Sequence, residues 1–151
     1  MSKAVTETVL LAVSPERVWE TVMDPSLLER WVTTHDSLSG AEPGPVAEGD
    51  SFTQKLRLAG KTFDVAWTVV VADAPHLARW EGAGPGGARA EVSYLLERQD
   101  RGTRFEYRNR FSLPGGALGR LAGGLLAAAP GRREASRSLE RLRALLEDEN
   151  G

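Results

Sequence analysis

The sequence predicts an α+β fold in which a strongly curved antiparallel sheet of about seven strands closes on one long C-terminal helix. Three observations carry this prediction. Between Phe52 and Leu113 apolar and polar residues alternate through successive runs separated by turn residues, the two-residue period of strands with one buried face. From Gly115 to Glu147 the apolar period changes to three and four residues, that of a helix with one dry side. Between the first strand and the rest, Ser14-Pro15-Glu16 and Asp24-Pro25 each place a capping side chain before a proline, the signal of two short helices. An antiparallel sheet with one wet face must bury the other, and the terminal helix is the only element long enough to cover it.

In chain order, Val5, Glu7, Val9, Leu11 and Val13 alternate with Thr6, Thr8, Leu10 and Ala12 and predict an opening strand. The first short helix turns Val18, Trp19, Val22 and Met23 inward, and the second, running through Trp31, does the same with Leu27, Leu28 and Trp31. The Thr-rich stretch from Val32 to Leu38 reads as extended, and Ser39 to Gly49, rich in proline and glycine, as a loop. A meander follows. Phe52, Gln54, Leu56 and Leu58 share one face up to a tight turn at Ala59-Gly60, then Phe63, Val65, Trp67, Val69 and Val71 share one. After the turn at Asp73-Ala74-Pro75-His76, Leu77 to Glu81 is a short strand, and Gly82 to Gly87 turns the chain again. Ala90, Val92, Tyr94 and Leu96 then form one face, and beyond Asp100-Arg101-Gly102 so do Phe105, Tyr107, Asn109, Phe111 and Leu113.

The terminal helix carries Leu118, Leu121, Ala122, Leu125 and Ala129 in its first half and Ala135, Leu139, Leu142, Leu145 and Leu146 in its second. Arg133, Arg137, Glu140, Arg141 and Glu147 fall outside that stripe. Pro130-Gly131 predicts a kink or short break, because proline removes a donor and clashes with the preceding turn. Gly116, Gly119, Ala122, Gly123 and Ala129 are small where a packed core would want larger groups, which predicts a cavity between helix and sheet.

Composition narrows the function classes. The 151 residues suit one domain, expected over 1–147 with 148–151 a frayed tail, and 41% hydrophobic residues suffice for a sizeable core. A net charge of −2 argues against nucleic acid, which needs a basic excess to neutralise phosphates. Without cysteine there is neither a disulfide framework nor thiolate chemistry. Met1 to Leu11 lacks the continuous apolar run of a leader, and Leu113 to Pro130 is short for a membrane span and contains Arg120; a cytoplasmic protein is expected. Gly82, Gly84 and Gly87 have dinucleotide-motif spacing, but a proline lies inside it and a strand follows, so no helix N-terminus meets a phosphate. His35 and His76 have no metal-ligand spacing, no cofactor is called for, and no pattern sets an oligomeric state.

The segment Val13 to Trp19 (Val-Ser-Pro-Glu-Arg-Val-Trp), Asp24-Pro25 followed by Trp31, the Asp73-Ala74-Pro75 turn leading into Leu77 to Trp80, and the helix from Leu118 to Leu146 with Ser138-Leu139-Glu140-Arg141-Leu142 together resemble the START/Bet v 1-like (SRPBCC) superfamily. Within it they resemble the polyketide cyclase/dehydrase and lipid-transport group. The resemblance covers essentially the whole chain and rests on packing positions. It implies a helix-grip fold, a seven-stranded antiparallel sheet wrapped around the C-terminal helix with a hydrophobic ligand tunnel between them, and no particular chemistry.

Strand parity supplies the candidate site. Gln54, Trp67, Tyr94, Tyr107 and Asn109 have inward parity, with Trp80 from the short strand. Polar tips among apolar walls orient a small apolar ligand. Trp31 is expected at the tunnel mouth, and Leu118, Leu121 and Leu125 on the helix side. Asn109 and Gln54 bind ligand or pocket water, or else pair with backbone or sit where a bulge shifts the parity. His35, at the same mouth, reads either as an exposed loop histidine or as a general base, with Tyr107 or Tyr94 donating a proton to an enolate. Cyclases of the resembled group place arginine and tyrosine in the tunnel, whereas Arg57, Arg104, Arg108 and Arg110 have outward parity here. Three readings follow: a carrier of a small lipid-like or polyketide-like molecule, a polyketide cyclase or dehydratase promoting aldol closure, and a partner-dependent accessory protein.

Overall fold

The computed structural model describes residues 2–114 and 131–149. Seven strands form one curled antiparallel half-barrel: β1 (Ser2–Leu11), β2 (His35–Ser39), β3 (Ser51–Leu58), β4 (Lys61–Asp73), β5 (Leu77–Ala83), β6 (Arg89–Gln99) and β7 (Gly102–Ser112). Their spatial order is β1-β7-β6-β5-β4-β3-β2, so the chain meanders from β2 to β7 and β1 closes the far edge. Helices α1 (Pro15–Val22) and α2 (Leu28–Trp31) lie between β1 and β2, and α3 (Arg132–Glu149) ends the described chain. This is the helix-grip architecture expected from the alternation and the terminal helix.

Local chemistry sets the boundaries. The opening strand runs from Ser2 to Leu11 rather than from Val5 to Val13, because residues from Ser2 onward pair with β7 while Ser14 already caps α1, its Oγ accepting from Arg17 N at 3.2 Å. Asp24 caps the second element through Ser26 N at 3.0 Å; that element is a short 3₁₀ turn at Pro25–Leu27 running into α2. Ala59 and Gly60 both have positive φ, 50° and 79°, the hairpin geometry that matches strand twist. The fifth strand extends to Ala83, two residues past Glu81, since Gly82 and Ala83 pair with both β4 and β6. His35 opens a strand and is not a loop residue; a register shift between His35 and Ser37 leaves Asp36 unpaired in the ladder.

The core is the concave face. Val65, Trp67 and Val69 of β4, Ala78 and Trp80 of β5, Tyr94 and Leu96 of β6, and Phe105 and Tyr107 of β7 are all buried. Helix α3 packs against β1 and α2 through Ala135, Ser138, Leu139, Leu142 and Leu146, while Arg133, Arg137, Glu140 and Arg141 stay in solvent. It runs two residues past the expected Glu147, starting directly after Pro130-Gly131. Leu118, Leu121 and Leu125, and with them the first half of the expected helix and the small-residue stripe, lie outside the described residues. No helix among the described residues is long and apolar enough to cross a membrane.

Polar contacts fix α3 in place. Ser138, buried in the helix face, accepts from Thr33 N at 3.1 Å, Arg143 donates to the Leu10 carbonyl at 2.7 Å, and Arg132 pairs with Glu7 at 2.8 Å. The Ser138 bond matters most, because its loss strands a part-buried backbone donor. Ser138→Ala is expected to lower unfolding free energy by about 1–3 kcal/mol, read as a reduced urea midpoint at unchanged slope; an unaltered midpoint would remove this bond from the account.

Candidate functional site

Antiparallel pairing assembles the site across five strands, β3 to β7. Tyr94 lies directly opposite Tyr107, and Val92 opposite Asn109, across β6 and β7. Trp80 faces Val92 on one side and Val69 on the other, and Trp67 faces Gly82. These side chains point to the concave face, where they line a cavity of about 50 Å³ together with Gln54, Leu28 and Val32. That is room for a few waters or the head of a small organic molecule. Leu56, Val92 and Thr34 complete the wall.

Aromatic rings form most of that wall. Trp80 stands edge-on to Phe52 (centroids 5.3 Å apart), to Tyr94 (5.5 Å) and to Trp67 (6.1 Å). Tyr94 continues the cluster to Tyr107 at 5.9 Å and to Phe105 at 5.5 Å. Trp31 is fully buried behind the two tyrosines, 5.5 Å from Tyr107 and 6.1 Å from Tyr94, so it packs the core rather than standing at a mouth. The second short helix is only one turn long and packs against α3, with Trp31 on its buried side.

The polar groups are ordered by a relay. Trp67 Nε1 donates to Gln54 Oε1 at 2.9 Å, and Gln54 Nε2 lies 2.9 Å from His35 Nδ1. An indole N–H only donates, so the oxygen of the Gln54 amide must face Trp67 and its NH₂ must face His35. An amide nitrogen also only donates, so His35 Nδ1 accepts and the ring proton resides on Nε2. The basic lone pair of His35 is therefore engaged, and what the ring has to offer elsewhere is an N–H. Burial holds the His35 pKa below its ordinary value, opposed by the nearby carboxylates of Glu29 and Asp36.

The two phenols are held protonated. Burial raises Tyr94 well above the ordinary tyrosine range, and the neighbouring Tyr107 adds to the shift. Burial raises Tyr107 as well, and a hydrogen bond with Asn109 draws it partly back. The Asn109 carboxamide is half-buried at the cavity wall.

Of the residues expected from sequence, Gln54, Trp67, Trp80, Tyr94, Tyr107 and Asn109 converge on one cavity. His35 joins them through Gln54, half-buried rather than exposed, and His76 is exposed. Arg57, Arg108 and Arg110 are in solvent, Arg57 pairing with Asp36 at 2.9 Å. Thr34, Leu28 and Val32 were not anticipated as cavity walls. The four-residue spacing of Leu28 and Val32 was a readable signal; Thr34 had none.

Gly82 acquires a role outside the motif reading. A Cβ there would meet Val65 Cγ1 at 2.5 Å and Trp67 Cε3 at 2.8 Å, so the missing side chain is what lets the Trp67 indole lie over β5 and reach Gln54. Gly82→Ala is expected to cost roughly 1–3 kcal/mol by overpacking and to move the Trp67 indole proton signal in NMR; an unmoved signal would mean that the relay does not depend on this space. A second expectation concerns pH. The unfolded chain binds a proton at His35 more readily than the folded one, so stability present above the ordinary histidine pKa is lost as pH falls through it. Between about pH 7.5 and 5.5 the urea midpoint should fall more for the parent protein than for His35→Gln; equal falls would show that the relay does not hold His35 neutral.

Comparison with known proteins agrees with this architecture. Residues 2–147 match the family described as polyketide cyclase/dehydrase and lipid transport. An uncharacterised Mycobacterium tuberculosis protein, Rv1546, is 29% identical over 84 residues, a stretch covering 56% of this chain and 59% of that protein's length. Among solved structures, the Zhui aromatase/cyclase from Streptomyces sp. R1128 superposes with a TM-score of 0.77 at 15% identity, covering 100% of this chain and 97% of that one. A conserved protein from Geobacillus kaustophilus gives 0.70 at 20% identity with 97% of both chains covered, and Ara h 8.0201 gives 0.67 at 14% identity over 98% and 99%. At these identities the likeness is one of fold. With the family matched from the first strand to within two residues of the end of α3, the chain belongs to the polyketide cyclase/dehydrase and lipid-transport family.

Proposed function

We propose that this chain binds a small hydrophobic molecule on the concave face of its sheet, in the cavity walled by Trp67, Trp80, Tyr94 and Tyr107. One observation carries the reading: six residues from five strands, chosen by parity as polar or amphipathic groups on a dry face, meet at a single cavity. Apolar walls with a few fixed polar tips are what a small-molecule site requires. Trp67 and Trp80 supply contact area, and Gln54, held between Trp67 and His35, supplies an oriented amide.

Trp31, Trp67 and Trp80, together with Trp19, make intrinsic fluorescence a direct reporter, since all four indoles are buried and two line the cavity. Titration with fatty acyl, isoprenoid and flexible polyketone compounds, paired with native mass spectra, is expected to show saturable quenching and an adduct of unchanged ligand mass. Tyr107→Phe should weaken binding of an oxygenated ligand about three- to tenfold, the loss of one hydrogen bond. No quenching and no adduct with any compound would overturn the reading.

A second reading, a cyclase or dehydratase, draws on the opposed Tyr94–Tyr107 pair. Two phenols kept neutral by burial are suited to donate hydrogen bonds to an enolate oxygen as an aldol closure proceeds. In this reading Tyr94 and Tyr107 are the catalytic residues, and His35 acts through Gln54 as a positioning residue because its lone pair is engaged. Product lighter by one water is the signature, with turnover lowered roughly 100-fold or more by Tyr107→Phe. Unchanged turnover in that variant would exclude the tyrosine from the chemistry.

A further inference from the structure

One proton sets the direction of three hydrogen-bonding groups. Trp67 Nε1 only donates, Gln54 has one accepting and one donating end, and His35 Nδ1 accepts only while its ring is neutral. The two contacts, each 2.9 Å, are therefore consistent in one sense alone: indole N–H to amide oxygen, then amide N–H to imidazole nitrogen. Uptake of a proton at Nδ1 turns that acceptor into a donor. The Gln54 NH₂ then faces a second donor, and the amide satisfies His35 only by turning over to present its oxygen. Carboxamide oxygen and nitrogen are close in size, so the inversion needs no added room. It leaves the Trp67 N–H against an NH₂.

Neither group has a substitute close by. Gln54 and Trp67 are each 4% exposed, so bulk water does not replace a lost partner. Leu38 and Val65 stand opposite Gln54 across the ladders, and Phe52 and Gly82 opposite Trp67; none of the four has a side-chain acceptor. If the charged imidazole swings outward instead, the Gln54 NH₂ loses its partner and the amide is held at one end only. Either movement acts on the cavity, because Gln54 and Trp67 belong to its wall. His35 does not line that wall and is half-buried on β2, where protons from solvent reach it.

The charges near His35 are accounted for on each element packed against it. Burial disfavours its charged form, while the carboxylates of Glu29 on α2 and Asp36 on β2 favour it. Asp36 is itself paired with Arg57 of β3 at 2.9 Å, and Lys55 of β3 leans to Asp64 at 3.9 Å. Arg30 follows Glu29 on α2, and Arg141 of α3 donates to the Glu29 carbonyl at 3.2 Å.

We infer that His35 is a proton-operated switch on the cavity: a proton taken up at Nδ1 breaks the relay through Gln54 to Trp67, and the loosened wall binds an apolar ligand more weakly. The inference rests on the binding function proposed above and adds its regulation by pH. By linkage the two events are reciprocal, so an occupied cavity makes His35 harder to protonate.

The test uses the full chain and 1-octanol, a probe that carries no charge at any pH used. Side-chain N–H signals of Trp67 and Gln54 and the ring nitrogens of His35 are followed by NMR from about pH 7.5 to about pH 5, across the ordinary histidine range. All three residues are expected to shift with one midpoint, which saturating octanol moves to lower pH. Octanol affinity, read from the same spectra, should fall about tenfold over that range, the equivalent of one neutral hydrogen bond. In His35→Gln, which does not titrate, the Trp67 and Gln54 signals and the affinity should stay constant. Trp67 or Gln54 signals that ignore the His35 midpoint would overturn the switch with the binding function intact, and so would equal octanol affinities of the parent protein at the two ends of the range. Absence of octanol binding throughout would overturn the binding function and its regulation together. Should His35→Gln fail to fold, the coincidence of midpoints in the parent protein decides alone.

Discussion

The register that sets Tyr94 against Tyr107 and Val92 against Asn109 determines everything on the concave side. Side chains alternate strictly across a strand, so a slip of one residue in β7 would carry Tyr107 and Asn109 to solvent and bring Glu106 and Arg108 inward, and a slip in β6 would turn Tyr94 outward. The register is held by the hydrophobic alternation itself, with Leu96 and Phe105 buried one step along the same ladder and Leu11 and Thr103 beyond them. Burial then acts back on the chemistry. The same exclusion of water that pins the strands keeps the two phenols neutral and pushes the His35 imidazole toward its uncharged form.

Neutrality belongs to the cavity lining as a whole among the described residues and not to one group; the charged Lys3 and Glu7 of the concave face stand on the edge strand β1, where Glu7 pairs with Arg132 of α3. Charged residues of the central strands lie on the convex side, where Arg79 and Glu81 or Lys55 and Asp64 approach one another in solvent. Such exposed pairs add little to stability. They do keep ions away from the aromatic wall, so inside it a single amide dipole, held at both ends by Trp67 and His35, has more influence than any surface pair.

How far the sequence reveals this depends on which rule places each residue. Gln54, Trp67, Trp80, Tyr94, Tyr107 and Asn109 sit on long regular ladders, where period-two counting from any buried neighbour gives the right face. His35 and Thr34 sit where counting fails, and Trp31, buried as its pattern gave, is not at the mouth where it was expected. His35 stands at a register shift in the shortest strand, and Trp31 in a one-turn helix whose position is set by α3 and not by its own pattern. The relay itself was invisible, because His35 and Gln54 are joined by tertiary approach across β2 and β3 with no sequence spacing to announce it. Gly82 was legible only as a turn residue; its meaning lies in the ring that crosses above it. The leucines expected on the helix side, Leu118, Leu121 and Leu125, stand outside the described residues and add nothing to this comparison.

The strand order places β1 and β2 at opposite edges of the sheet although they are consecutive in the chain. Residues 12–34, which join them, must therefore run from one rim of the half-barrel to the other, and this span supplies Leu28, Val32 and Thr34 to the cavity. Every other connection joins adjacent strands and is constrained by their ladder. The span between the rims is anchored to the sheet near its ends, where the Val13 carbonyl accepts from Thr103 and the Thr34 carbonyl from Arg57 N, and between those anchors its length sets an aperture. Lengthening or shortening it alters the room beneath it while leaving all six strand pairings as they are, which separates the dimensions of the chamber from the stability of the wall around it.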